Sequence, residues 1–213
     1  MSKRETESSG ENDKNADVFS QAVKALRRGD VIVFPTETFY GLGADALNPA
    51  AVDKIVSLKG RNPDSPIPLI VADRAMLEEV VREFSPIAQR LAARFWPGPL
   101  TLVLPAKERL PAPLLNRDGG VGVRISSHPL ARRLARELGR PITATSANLS
   151  GRAPARTIAE ALTYFSERLT VYVDGGVLAG KKGSTVVAVR EGKLRTVREG
   201  EIGLAEIEAC LAS

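Results

Sequence analysis

At residues 31–43 the chain reads Val31-Ile32-Val33-Phe34-Pro35-Thr36-Glu37-Thr38-Phe39-Tyr40-Gly41-Leu42-Gly43. The first four residues are apolar without a break, and a proline closes the run. A strand with no polar face is buried on both sides, so other elements must cover it. The element before it is a helix. Val18, Ala22, Ala25 and Leu26 recur at helical spacing between Asp17 and Arg28, and Gly29 stops the repeat. A helix feeding a buried strand is the start of an α/β domain. The polar, glycine-bearing stretch 36–43 that follows reads as a loop.

The same alternation continues. Asn48 and Pro49 open a helix that runs to about Lys59, where Gly60 ends it. Pro68 to Ala72 reads as a strand, and Asp73 caps a short helix through Val81. Ser85-Pro86 opens another helix, which ends before Pro97-Gly98-Pro99. Leu100 to Leu104 and Val121 to Ile125 are strands. Between them, residues 105–120 are rich in proline, charge and glycine and read as a mobile loop. A helix from Pro129 to Leu138 closes at Gly139, and Pro141 to Thr145 is a strand. After a loop over 148–156, Thr157 and Glu160 have capping-box spacing. Leu169 to Val173 is a strand. Thr185 to Val189 and Lys193 to Val197 form a hairpin about Glu191-Gly192. A short helix over 204–211 follows. This order predicts one α/β domain over 17–213 with a mixed sheet, preceded by a flexible polar tail at 1–16.

Composition narrows the chemistry. The chain has 213 residues, 43% hydrophobic and 26% charged, which suits one domain with a full core. The net charge of +5 favours anionic partners, or else serves solubility alone. One cysteine, Cys210, and one histidine, His128, exclude an internal disulfide and the usual zinc ligand sets. No apolar run at the start has signal-peptide character and none is of transmembrane length, so the expected location is cytoplasmic, with no membrane partner.

Two phosphate motifs are incomplete. Gly41-Leu42-Gly43-Ala44-Asp45-Ala46 has dinucleotide-loop spacing but stands six residues beyond its strand. Gly175 to Lys181 begins like a P-loop, yet Lys182 replaces the metal-binding hydroxyl residue and a strand follows instead of a helix. A different pair of tracts is more informative. Leu58-Lys59-Gly60-Arg61 offers two cations, and Thr145-Ser146-Ala147-Asn148 offers a hydroxyl and an amide. Both fall in loops beyond regular elements, where α/β sheets bind ligands. Arg124 ends an apolar strand, so it either makes an internal salt bridge or awaits a carboxylate or phosphate. Trp96 serves a structural corner or a stacking surface.

These tracts resemble the YrdC-like family of threonylcarbamoyl-AMP synthases. The resemblance rests on residues 34–43, Lys59-Gly60-Arg61, Trp96-Pro97-Gly98-Pro99-Leu100-Thr101, Val123-Arg124, residues 145–151, Asp174-Gly175-Gly176, residues 184–187 and Arg198-Glu199-Gly200. It implies a twisted, open α/β fold around a basic concave cavity, in the short, single-domain form. It implies a nucleotidyltransferase that joins L-threonine, bicarbonate and ATP into threonylcarbamoyl-AMP, with release of pyrophosphate. The product then passes to a separate transferase complex that modifies tRNA. The resemblance assigns Lys59 and Arg61 to catalysis, and Lys59, Arg61, Ser146, Asn148 and Arg198 to ATP. It assigns Thr36, Arg124 and Ser184 to L-threonine. Magnesium is expected with ATP, without protein side chains as metal ligands. The chain departs from the pattern at Asn62, at Ser65, where a lysine is common, and at Ser126-Ser127.

Overall fold

The structure is a computed structural model and describes residues 17–60 and 65–212. Its first helix, α1, spans 17–27 and buries Phe19, Ala22, Val23, Ala25 and Leu26. Strand β1 (Ile32–Phe34) is buried throughout. The predicted loop at 36–43 is partly strand, because β2 (Gly41–Gly43) pairs antiparallel with β1. Gly41 and Gly43 serve contact there more than flexibility. A Cβ at Gly43 would stand 2.8 Å from the Phe34 ring, so the ring can cover β2 only where side chains are missing.

Helix α2 (Pro49–Lys59) has the predicted boundaries. The Asn48 side chain accepts from Ala51 N at its start, and Gly60 takes the left-handed conformation at its end. Strand β3 (Leu69–Ile70) and helices α3 (Arg74–Val80) and α4 (Pro86–Phe95) follow. Asp73 and Ser85 cap the two helices. Strands β4 (Leu100–Pro105) and β5 (Gly120–Arg124) form an antiparallel pair. The segment between them, predicted to be mobile, is tied down. Leu110 and Leu114 are buried, a 3₁₀ turn spans Ala112–Leu114, and Ile67 N donates to Pro113 O at 3.0 Å.

Helix α5 (Pro129–Leu138) closes at left-handed Gly139. The strand predicted at 141–145 is two strands in two sheets. β6 (Ile142–Thr143) pairs with β3, whereas β7 (Thr145–Ser146) pairs with β2. Helix α6 (Ile158–Phe165) starts at the Thr157 cap. The strand predicted at 169–173 is reduced to a single bridge between Val33 and Tyr172. Strands β8 (Thr185–Arg190) and β9 (Lys193–Arg198) form the predicted hairpin, with Glu191 and Gly192 both at positive φ. Helix α7 (Leu204–Ala212) ends the described chain.

The strands form two open sheets rather than one. The small sheet has the order β1-β2-β7, and the large mixed sheet has the order β6-β3-β5-β4-β8-β9. Side-chain alternation gives the central strands of the large sheet two different faces. Leu102, Leu104, Val121, Val123, Val187 and Val189 are buried in the core. Thr101, Val103, Gly120, Gly122, Arg124 and Val186, on the opposite face, line a cavity.

Residues 175–184 wrap the loop at 36–39 closely enough to exclude side chains. A Cβ at Gly180 would lie 2.1 Å from the Thr38 carbonyl oxygen. Gly180→Ala is therefore expected to lower stability by about 1–3 kcal/mol in urea denaturation. A midpoint equal to the parent's would mean that the two loops separate without cost.

Candidate active site

The cavity has a volume of about 880 Å³ and lies between the ends of the small sheet and the polar face of the large one. That size holds a nucleotide-sized ligand with room beside it. Thr36, Arg124, Ser146, Ser184 and Arg198, predicted from widely separated tracts, all line it. Gly120 and Gly122 lie in the wall without side chains, which keeps the face of β5 open. Ser65, one of the departures from the family pattern, also lines the cavity.

Lys59 ends α2 and is almost buried at 5% exposure. Its ammonium donates to Ser146 O at 2.5 Å, Asn148 O at 2.8 Å and Asn148 Oδ1 at 3.0 Å. The two distant tracts do meet, and Lys59 and Asn148 are buried against Ser146, which lines the cavity. Asn148 is turned inward: its Nδ2 donates to Arg152 O at 2.5 Å, and its Oδ1 also accepts from Ser146 Oγ at 2.6 Å. Lys59 thus organises the β7 loop, and Ser146 carries that organisation to the cavity surface. Arg61 and Asn62 lie outside the described residues.

At the opposite wall, Ser184 Oγ shares a hydrogen bond with Thr101 Oγ1 at 2.9 Å. Arg198 Nη2 donates to Ser184 O at 2.8 Å and reaches Ser184 Oγ at 3.3 Å. Burial and the nearby Arg124 charge both hold the Arg198 guanidinium below its ordinary pKa. An anion placed between the two arginines would relieve that repulsion. Thr36 Oγ1 donates to Phe39 O at 2.6 Å and accepts from Thr38 N and Phe39 N. Its hydroxyl shapes the turn at 36–39, and that turn carries Phe39 and Tyr40 to the cavity.

Arg124 closes the β5 end of the wall at 4% exposure. It has an internal ionic partner, since its Nε lies 3.1 Å from Glu37 Oε1. The N–H is not aligned on that oxygen, so the contact is an ion pair without a hydrogen bond. The Arg124 side chain donates no hydrogen bond to any described residue. A desolvated guanidinium with unused donors at a cavity wall is suited to an incoming carboxylate. Glu37 itself carried no signal in the sequence beyond its place in the loop.

His128 lies beyond Glu37. Its Nδ1 is buried without a hydrogen-bond partner among the described residues. Burial holds its pKa below the ordinary 6.5, Glu37 pulls it upward, and Arg132 pushes it down. The unfolded chain therefore takes up this proton first. Stability is expected to fall as pH drops below about 6.5 toward the lower folded value. In melting curves between pH 7 and pH 5, His128→Asn should lose less stability than the parent; equal losses would assign the acid sensitivity elsewhere.

The other motifs take structural roles. Gly41 and Gly43 belong to a strand, not to a turn that opens a helix. The N–H groups of Lys181 and Lys182 donate to Glu201 Oε1 at 2.7 and 2.5 Å, so a side chain of the protein fills that anion-binding concavity. Trp96 stacks against Phe84 with centroids 6.3 Å apart and donates from Nε1 to Leu100 O, away from the cavity lining. Among the described residues no group of three acidic, histidine or cysteine side chains could hold a metal ion. No described helix is long and apolar enough to cross a membrane.

Comparison with known proteins adds independent findings. A Sua5/YciO/YrdC family model, described as telomere recombination, matches residues 24–200. A threonylcarbamoyl-AMP synthase of Bacillus subtilis is 42% identical over 194 residues, covering 90% of this chain and 56% of that protein. One of Thiobacillus denitrificans is 41% identical over 170 residues, covering 79% of this chain and 89% of that protein. The crystal structure of P. abyssi Sua5 complexed with L-threonine matches with a TM-score of 0.87 at 37% identity, over 92% of this chain and 58% of that one. The chain thus spans little more than half the length of the Bacillus and P. abyssi proteins.

Proposed function

The chain belongs to the Sua5/YciO/YrdC family, and on that premise we propose that it is an L-threonylcarbamoyladenylate synthase. It joins L-threonine, bicarbonate and ATP into threonylcarbamoyl-AMP and pyrophosphate. The observation that carries the reading is Arg124, a buried guanidinium with unused donors in the same cavity as Ser146, Ser184 and Arg198. The P. abyssi relative in complex with L-threonine supports the amino-acid half of that assignment.

The reaction proceeds in two steps. The threonine amine attacks the carbon of carbon dioxide, supplied by bicarbonate with loss of hydroxide, and sheds a proton to give a carbamate. A carbamate oxygen then attacks the α-phosphorus of ATP. The new P–O bond forms as the bond to the bridging oxygen of the β-phosphate breaks, and pyrophosphate leaves. No protein nucleophile is required. Arg124 grips the threonine carboxylate, with the Ser184 hydroxyl beside it. Ser146 and Arg198 offer donors to the phosphates, and Lys59 fixes the Ser146 loop. Catalysis rests on alignment and on neutralising charge. Magnesium would accompany ATP and neutralise charge on its phosphates, beside the donors of Ser146 and Arg198. The product serves tRNA modification through a separate transferase complex in the cytoplasm.

Purified protein given ATP, threonine and bicarbonate should release pyrophosphate only when all three are present. Threonine-independent release would sink the proposal, as would equal rates with unrelated amino acids.

A further inference from the structure

The loop residue beside Arg124 has a part to play that the predicted site residues do not cover. Glu37 is almost buried, with its side chain 10% exposed against 5% for that of Arg124. One carboxylate oxygen, Oε1, lies 3.1 Å from Arg124 Nε. The other, Oε2, accepts a hydrogen bond from Ser126 Oγ. Ser126 is fully buried, and its Oγ accepts from His128 N at 3.1 Å, so the hydroxyl is held from the α5 side. The carboxylate is therefore anchored at one oxygen and presents the other to a guanidinium that has no hydrogen bond of its own. It also supplies negative charge beside two arginines, Arg124 and Arg198, that share one cavity.

We infer that Glu37, anchored by Ser126, is a positioning residue that holds Arg124 from behind so that its terminal nitrogens face the threonine carboxylate. This rests on the proposed function. Without a counter-charge behind it, Arg124 would be repelled by Arg198 and would turn toward water, because a buried guanidinium does not stay unpaired. The carboxylate at Nε leaves the outer pair of nitrogens available for a two-pronged contact. Ser126 stands two residues past β5, and its hydroxyl fixes the carboxylate rather than lining the cavity.

The test compares threonine and ATP dependence in Glu37→Gln, which keeps the shape and removes the charge. The threonine KM should rise about tenfold, as for loss of one charge-assisted hydrogen bond between a misdirected Arg124 and the threonine carboxylate, while the ATP KM stays within about twofold. Ser126→Ala removes the anchor with little risk to the fold, and should raise the threonine KM in the same selective way by about threefold. Threonine KM values equal to the parent's in both variants would overturn the inference. So would a parallel rise in both KM values with a lowered melting temperature, which marks a structural role. A parent chain with no threonine-dependent pyrophosphate release would sink the proposed function and this inference together; a working parent with indifferent variants would sink the inference alone.

Discussion

Replacing Arg124 with lysine is expected to raise the threonine KM by about 10- to 100-fold while leaving the ATP KM nearly unchanged. Lysine keeps the positive charge against Glu37, which lies 3.1 Å from Nε in the parent. The buried carboxylate is therefore not stranded, and the fold should survive. The planar fork is lost, and with it the second bond to a carboxylate. A hydrogen bond to a charged group contributes about 1.5–3 kcal/mol, which corresponds to that range of affinity. Steady-state kinetics with each substrate varied in turn decides the point. A threonine KM within twofold of the parent's would remove Arg124 from amino-acid recognition. Arg124→Ala is the weaker test, since it leaves Glu37 buried without its partner at a cost of about 3–5 kcal/mol.

Lys59→Met should lower turnover at saturating substrates by about 100-fold or more. Methionine matches the length of the lysine stem and supplies no donor. Three oxygens, Ser146 O, Asn148 O and Asn148 Oδ1, would lose the ammonium that now gathers them within 3.0 Å. Ser146 O keeps the Asn148 N–H and Asn148 Oδ1 keeps the Ser146 hydroxyl, but Asn148 O loses its donor at a cost of about 1–3 kcal/mol, so the melting temperature should drop as well. The β7 loop would relax and carry Ser146 away from the phosphates. The loss should therefore fall on kcat and on the ATP KM, with the threonine KM affected less. Parent-level turnover would separate Lys59 from the chemistry and leave it only a structural support.

These two residues also mark where the sequence was readable. Lys59 at a helix end next to Gly60, and Ser146 and Asn148 at and just beyond the end of a short strand, are local patterns with local causes. Capping by Asn48, left-handed Gly60 and Gly139, and the Glu191-Gly192 hairpin followed from single residues whose backbone preferences dominate. Pairing could not be read in the same way. Residues 141–145 look like one apolar strand, yet they divide between two sheets at Ala144, whose N–H donates to Pro68 O. Residues 169–173 have strand composition but find only one bridge, to Val33. The stretch 41–43 has loop composition but pairs because its glycines admit the Phe34 ring. In each case the partner, not the segment, decided the state.

The sequence alone determined the order of the helices, most of their caps, and the tracts that carry the family resemblance. It did so because those features depend on residue type and short spacing. Only the tertiary structure decided that there are two sheets, that one face of the large sheet lines a cavity, and that Arg124 stands against Glu37 while Lys59 stands behind Ser146. Such facts arise from register and from contacts between residues about 90 positions apart. The side chains involved reach their environment only after the chain has closed on itself.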